Sequence, residues 1–112
     1  MDKPLFRLIA LEDAQSFLES LPDKAREKML YNIRKVRFGV KDKDIFKKLG
    51  DTEIWEFRTI WEGLAYRLFA FWDKDNETLV VATHGIVKKK QKTPKVEIDR
   101  ALSIRKQWFD QK

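Results

Sequence analysis

Arg58 and Arg67 flank Gly63 in a strongly alternating segment, and the only histidine of the chain, His84, is followed by Lys88, Lys89, Lys90 and Lys92. Guanidinium forks match phosphate oxygens, lysine amines hold a phosphate backbone as point charges, and an imidazole with a pKa of about 6.5 carries protons at neutral pH. Together these types suit a phosphodiester. Metal-free cleavage of RNA needs the substrate's 2′-hydroxyl in line with phosphorus, a base for its proton, cations for the growing phosphoryl charge, and an acid for the leaving 5′-oxygen. Arg58 and Arg67 fit the charge-stabilising role. His84, or a lysine such as Lys88 whose neighbours lower its pKa, fits the proton transfers. Lys89, Lys90 and Lys92 would hold the RNA backbone, and Tyr66 is a stacking candidate that also fits a core. Carboxylate clusters and His/Asp/Glu sets at ligand spacing are absent from the sequence, so neither a metal nor a cofactor is expected.

Register decides whether the arginines meet. The segments TEIWEFRTIW and LAYRLFAFW alternate every second residue and are rich in aromatic and β-branched types, so they predict two strands joined at Trp61-Glu62-Gly63-Leu64. A two- or four-residue connection places Arg58 directly opposite Arg67. One face then carries Glu56, Arg58, Ala65, Arg67 and Phe69, and the other, plainly core, carries Trp55, Phe57, Tyr66, Leu68 and Trp61. Like charges directly across a strand pair repel. An anion would complete such a site; alternatively Glu56 and other acids pair the arginines as an ordinary salt-bridged surface.

The remaining elements follow from periodicity. LFRLIA, residues 5 to 10, predicts a short first strand. Leu11, Ala14, Phe17, Leu18 and Leu21 share one helical face, Pro22 breaks the chain, and Ala25, Met29, Ile33 and Val36 form the stripe of a second helix that ends at Gly39. Residues 41 to 50 predict one short helical turn that packs by Ile45, Phe46 and Leu49. TLVVATHGIV predicts a third strand of the meander. Thr93 and Pro94 read as N-cap and first position of a last helix with Ile98, Ala101, Leu102, Arg105 and Trp108 or Phe109 turned inward. The free amides and dipole at that helix start would add to the attraction for phosphate. The fold class is α+β: an antiparallel sheet of three to four strands, an N-terminal helical pair and a C-terminal helix.

Composition bounds the alternatives. With 112 residues, 43% hydrophobic and no cysteine, the chain reads as a single domain, residues 1 to 112, without disulfides or thiolate metal sites. No apolar run spans a membrane and the first residues lack a secretory pattern, so a soluble cytoplasmic protein is expected. The net charge of +6 is uneven: residues 86 to 95 hold five lysines and no acid. Such a surface favours a polyanion.

IWEFR, GLAYRLF and THGIVKKKQKTPKVEIDRA together resemble the HigB-like, phage-associated branch of the RelE/ParE toxin superfamily, over about residues 49 to 105. The Lys-Lys-x-Gln-Lys-Thr-Pro segment is the most specific part. Ile86 and Lys90 depart from the usual phenylalanine and threonine, and Phe57 replaces the usual leucine of Glu-Leu-Arg. The resemblance implies a RelE-like fold and the toxin of a type II toxin–antitoxin pair, an endoribonuclease that cuts mRNA on the ribosome. It also implies a helix-turn-helix, HigA-like antitoxin as partner. Arg58 matches the arginine of Glu-Leu-Arg, Arg67 that of Tyr-Arg, and Lys88, Lys89 and Lys92 the loop lysines. Two other classes stay open: a ParE-like inhibitor of DNA gyrase, and a non-catalytic nucleic-acid-binding module.

Overall fold

The computed structural model describes residues 3–89 and 92–112. Strand β1 (Arg7–Ala10) leads into α1 (Glu12–Ser20) and α2 (Asp23–Arg37), then β2 (Phe46–Lys48), β3 (Trp55–Trp61), β4 (Leu64–Asp73), β5 (Leu79–Lys88) and α3 (Lys95–Asp110). The helical pair ends where Gly39 takes φ +100°, a left-handed conformation that glycine adopts without a Cβ penalty.

The α+β class holds, with two differences in the sheet. It has five strands in the order β1-β5-β4-β3-β2, and it is mixed rather than antiparallel, because β1 runs parallel to β5 along one edge. Within the segment 41 to 50 one turn forms, the Ile45 and Phe46 N–H groups both donating to the Asp42 carbonyl oxygen, but Phe46–Lys48 does not continue as helix. These residues form an edge strand instead: Phe46 pairs with Phe57 and stacks on its ring at 4.3 Å and on Trp55 at 4.8 Å. A three-residue strand gains more from that aromatic surface than an isolated helical turn gains from one hydrogen bond.

Both faces of the sheet are covered. On one, Ala25, Met29, Ile33 and Val36 of α2 pack with Phe57, Leu68 and Val80. On the other, Ile98, Ala101, Leu102, Trp108 and Phe109 of α3 pack over Ile54, Phe69, Phe71 and Val81. The arginine-bearing face is therefore a second core at one end and a cleft at the other.

Polar contacts tie down both ends of α3. At its C-terminus Trp108 Nε1 donates to Asp73 Oδ2 at 2.7 Å and Lys112 Nζ pairs with the same oxygen. Burial works to raise the Asp73 carboxyl, but Lys112, the Asp75 backbone N–H and Trp108 outweigh it and hold it at about 2. At the N-terminal end Thr93 does not cap the helix: Pro94 is the N-cap and no side chain caps it. The Thr93 hydroxyl is engaged elsewhere.

One irregularity in β5 sets what faces α3. Phe69 pairs with His84 but Ala70 pairs with Ala82, so Thr83 is an extra residue on β5. A bulge of this kind shifts side-chain parity by one. Val81 and His84 consequently share the α3 face.

Candidate functional site

The β3–β4 connection is Glu62-Gly63, with φ of 48° and 78°, the two positive values a type I′ turn requires. That turn fixes the register, and Arg58 lies directly opposite Arg67 on the α3 face. The two side chains are held differently. Arg67 is 5% exposed; its Nη1 donates to Thr93 Oγ1 at 2.6 Å and lies 3.5 Å from Glu56 Oε1. Thr93 Oγ1 in turn donates to Glu56 Oε1 at 2.7 Å. Glu56 is fully buried, so its charge is compensated by the Arg67 guanidinium and the hydroxyl between them. Arg58 is half-buried and forms no ion pair among the described residues, and its buried Nε has no protein partner there.

Lys47 stands directly opposite Glu56 on β2. A cleft of about 530 Å³ opens between this edge and the start of α3, lined by the cations Lys47, Lys48, Arg58, Arg67 and Lys92. Leu49 and Ile98 give it an apolar side, and no carboxylate lines it. Of these five cations only Arg67 forms an ion pair among the described residues. The cleft therefore concentrates positive charge that an incoming anion would offset, within the size range of small-ligand sites.

The sequence candidates fall into separate places. Arg58, Arg67 and Lys92 come together in the cleft. His84 is 1% exposed, with Nδ1 2.9 Å from Thr83 Oγ1 and Nε2 3.0 Å from Glu97 Oε1 in the first turn of α3. Burial pushes its imidazole below the ordinary value, Arg100 adding to the effect and the Glu97 hydrogen bond opposing it. The neutral ring braces the helix start, where Glu97 also meets the dipole expected to attract phosphate. Tyr66 is buried on the opposite, helical-pair face. Lys88 ends β5 opposite Ala65, and Lys88 and Lys89 are exposed but do not line the cleft. Lys90 lies outside the described residues.

Sequence reasoning missed Lys47 and Lys48, which sit in the segment read as helical, and Thr93 as part of the mount of Arg67; the Glu56 pairing it offered as the alternative is present at Arg67, buried rather than on a surface. The Lys-Lys step after two apolar residues was the available signal for the first pair. Among the described residues no group of three or more His, Cys, Asp or Glu side chains is placed to hold a metal ion, and no helix is long and apolar enough to cross a membrane.

No curated protein matches the chain. Residues 16–106 match the family described as Phage derived protein Gp49-like (DUF891), a span from α1 to the body of α3 that includes every cleft residue. The chain thus belongs to the Gp49-like family of phage-derived proteins, a RelE/HigB-like toxin family.

Proposed function

We propose that the chain is the toxin of a type II toxin–antitoxin pair and cuts mRNA on the ribosome, in the cytoplasm, without a metal. The observation that carries this reading is the Arg58–Arg67 pair, set side by side in a cleft whose other charged lining residues are Lys47, Lys48 and Lys92. Two adjacent guanidinium groups suit a phosphoryl group whose negative charge grows in the transition state. Mounted on Glu56 and Thr93, Arg67 is held in place before substrate arrives, so little reorganisation accompanies the reaction.

In the proposed step the 2′-oxygen attacks phosphorus and the bond to O5′ breaks, leaving a 2′,3′-cyclic phosphate and a 5′-hydroxyl. A lysine amine of the cleft, Lys47 or Lys92, takes the 2′-proton, and the other, as ammonium, gives one to O5′. His84, enclosed between Thr83 and Glu97, acts as a brace for α3 rather than on substrate. Lys88 and Lys89 extend the basic track along the RNA backbone. A helix-turn-helix antitoxin encoded beside the toxin is the expected partner.

The test is induction from a tight promoter with mapping of mRNA ends, followed by purified chain on programmed ribosomes. Growth arrest and new ends bearing 5′-hydroxyls, both lost in Arg58→Ala, are expected. Arrest with intact mRNA and inhibited gyrase in vitro would overturn the nuclease reading.

A further inference from the structure

Among the described residues eight large apolar side chains are exposed, and five of them, Leu5, Leu30, Tyr31, Phe38 and Val40, surround the outer side and exit of α2. Three hollows join them. Leu30 and Phe38 line one, Tyr31, Phe38 and Val40 a second, and Leu5 and Val40 a third of about 440 Å³ floored by Phe6, Phe46, Trp55 and Trp72. The helix is thus amphipathic twice over: Ala25, Met29, Ile33 and Val36 face the core, while Leu30, Tyr31, Arg34 and Phe38 follow helical spacing on the outside. Contiguous apolar surface of this kind marks an interaction site more often than a solvated face.

Charge specifies the occupant. Arg34 lies 5.7 Å from the Phe38 ring and Lys35 5.1 Å from that of Tyr31, and Lys41 and Lys43 border the aromatic hollow with Asp42 as its one acid, so cations prevail. None of these four cations forms an ion pair among the described residues. A second copy would bring the same basic patch against itself across a two-fold axis, which repels. RNA would gain from the charges and from the Tyr31 and Phe38 rings, but Leu5, Leu30 and Val40, also exposed, gain only from apolar side chains and not from a sugar-phosphate backbone.

We infer that this surface docks an acidic amphipathic helix of a partner protein, its apolar stripe on Leu30, Tyr31 and Phe38 and one large side chain in the hollow floored by Trp55 and Trp72. The apolar contacts supply affinity, and carboxylates flanking the stripe meet Arg34, Lys35, Lys41 and Lys43. The surface lies on the helical-pair side of the sheet, so the docked partner leaves the cleft on the α3 side uncovered. The inference stands whether or not the cleft cuts RNA.

The experiment titrates isotope-labelled full-length chain with a synthetic amphipathic peptide carrying leucine and phenylalanine on one face and glutamate on the other. The same peptide with lysine for glutamate serves as its counterpart. Amide shifts confined to residues 30–43 and to the lining of the hollow at Leu5, Phe6, Phe46, Trp55 and Trp72, with a change in tryptophan fluorescence, are expected for the acidic peptide. Arg34→Glu, at an exposed position, should weaken that peptide about tenfold or more and favour the basic one. The inference is overturned by absence of binding, by shifts centred on the cleft, or by an Arg34→Glu variant that binds as before. Displacement of the peptide by an RNA oligonucleotide, or concentration-dependent shifts of this face without peptide, would overturn it in favour of RNA or of a second copy.

Discussion

Thr93 Oγ1 donates to Glu56 Oε1 across 2.7 Å and so joins the segment that leads into α3 to the start of β3. The same oxygen accepts from Arg67 Nη1. One hydroxyl proton and its lone pairs allow both bonds at once. The direction of the Arg67 guanidinium therefore depends on where α3 begins, and a helix far along the chain sets the geometry of a strand residue.

Thr93→Val removes that hydroxyl at nearly constant volume. Glu56 and Arg67 each lose a buried hydrogen bond, so the variant should lose about 1–3 kcal/mol of stability in urea unfolding. Thr93→Ser should keep most of it. Equal stability of the valine and serine variants would show that the bond adds nothing.

Arg58 and Arg67 should separate binding from folding. Truncating Arg67 leaves the Glu56 carboxylate buried without its counter-charge, a change that costs roughly 3–5 kcal/mol in comparable pairs. Arg58 has no ion pair to lose among the described residues. Arg58→Ala should therefore retain wild-type stability while weakening RNA binding, whereas Arg67→Ala should lose both. Thermal melts and filter binding on the two purified variants make the comparison; an Arg58→Ala variant that binds RNA like wild type would remove it from the site.

The legible part of this site was the part governed by local rules. Alternation and a Glu-Gly turn are enough to place Arg58 opposite Arg67, since a two-residue connection leaves no freedom in register. His84 was out of reach for the converse reason. A single extra residue at Thr83 shifts its parity, and no composition signal marks a bulge among Ala82, Thr83 and His84. Nor does the sequence announce that α3 lies over the charged face, which turns Glu56 from a surface acid into a buried mount. In residues 41 to 50 the turn was legible and the strand after it was not: Ile45, Phe46 and Leu49 suit a helical turn as well as an edge strand, and the aromatic rings of Trp55 and Phe57, farther along the chain, decide it.

Acid should loosen the fold through His84. The unfolded chain takes up this proton near the ordinary value of 6.5, whereas the folded chain, holding the ring buried, takes it up only at lower pH. Stability is then intact above about pH 6.5 and falls as pH drops from there toward the folded pKa. Urea midpoints measured across this range should decline for wild type and stay flatter for His84→Gln. A wild-type midpoint that rises on acidification would refute the sign.

Gly85 is required by contact rather than by backbone conformation. A Cβ built there would lie 2.2 Å from Phe17 Cδ2, where α1 crosses β5. Gly85→Ala should cost about 1–3 kcal/mol by forcing the ring aside. In a Phe17→Ala background the same substitution should cost much less, and additive losses in the double variant would mean that the two side chains do not compete for that space.

Salt dependence should count the cations that RNA engages. Each phosphate neutralised on a single strand releases counterions and contributes about 0.7 to the slope of log affinity against log salt. Lys47 and Lys92 flank the arginine pair in the cleft, and neither forms an ion pair among the described residues, so each is available to a phosphate. Lys47→Ala and Lys92→Ala should each weaken RNA binding and flatten that slope by about 0.7, the double variant by about twice as much. Lys106, paired with Asp110 at the far end of α3, is the internal control, because removing it changes the net charge equally without touching the cleft. If Lys106→Ala flattened the slope as much as Lys92→Ala, attraction would come from overall charge and the cleft would not be the contact. A slope that changes only for the cleft lysines places the backbone of the bound strand beside Arg58 and Arg67.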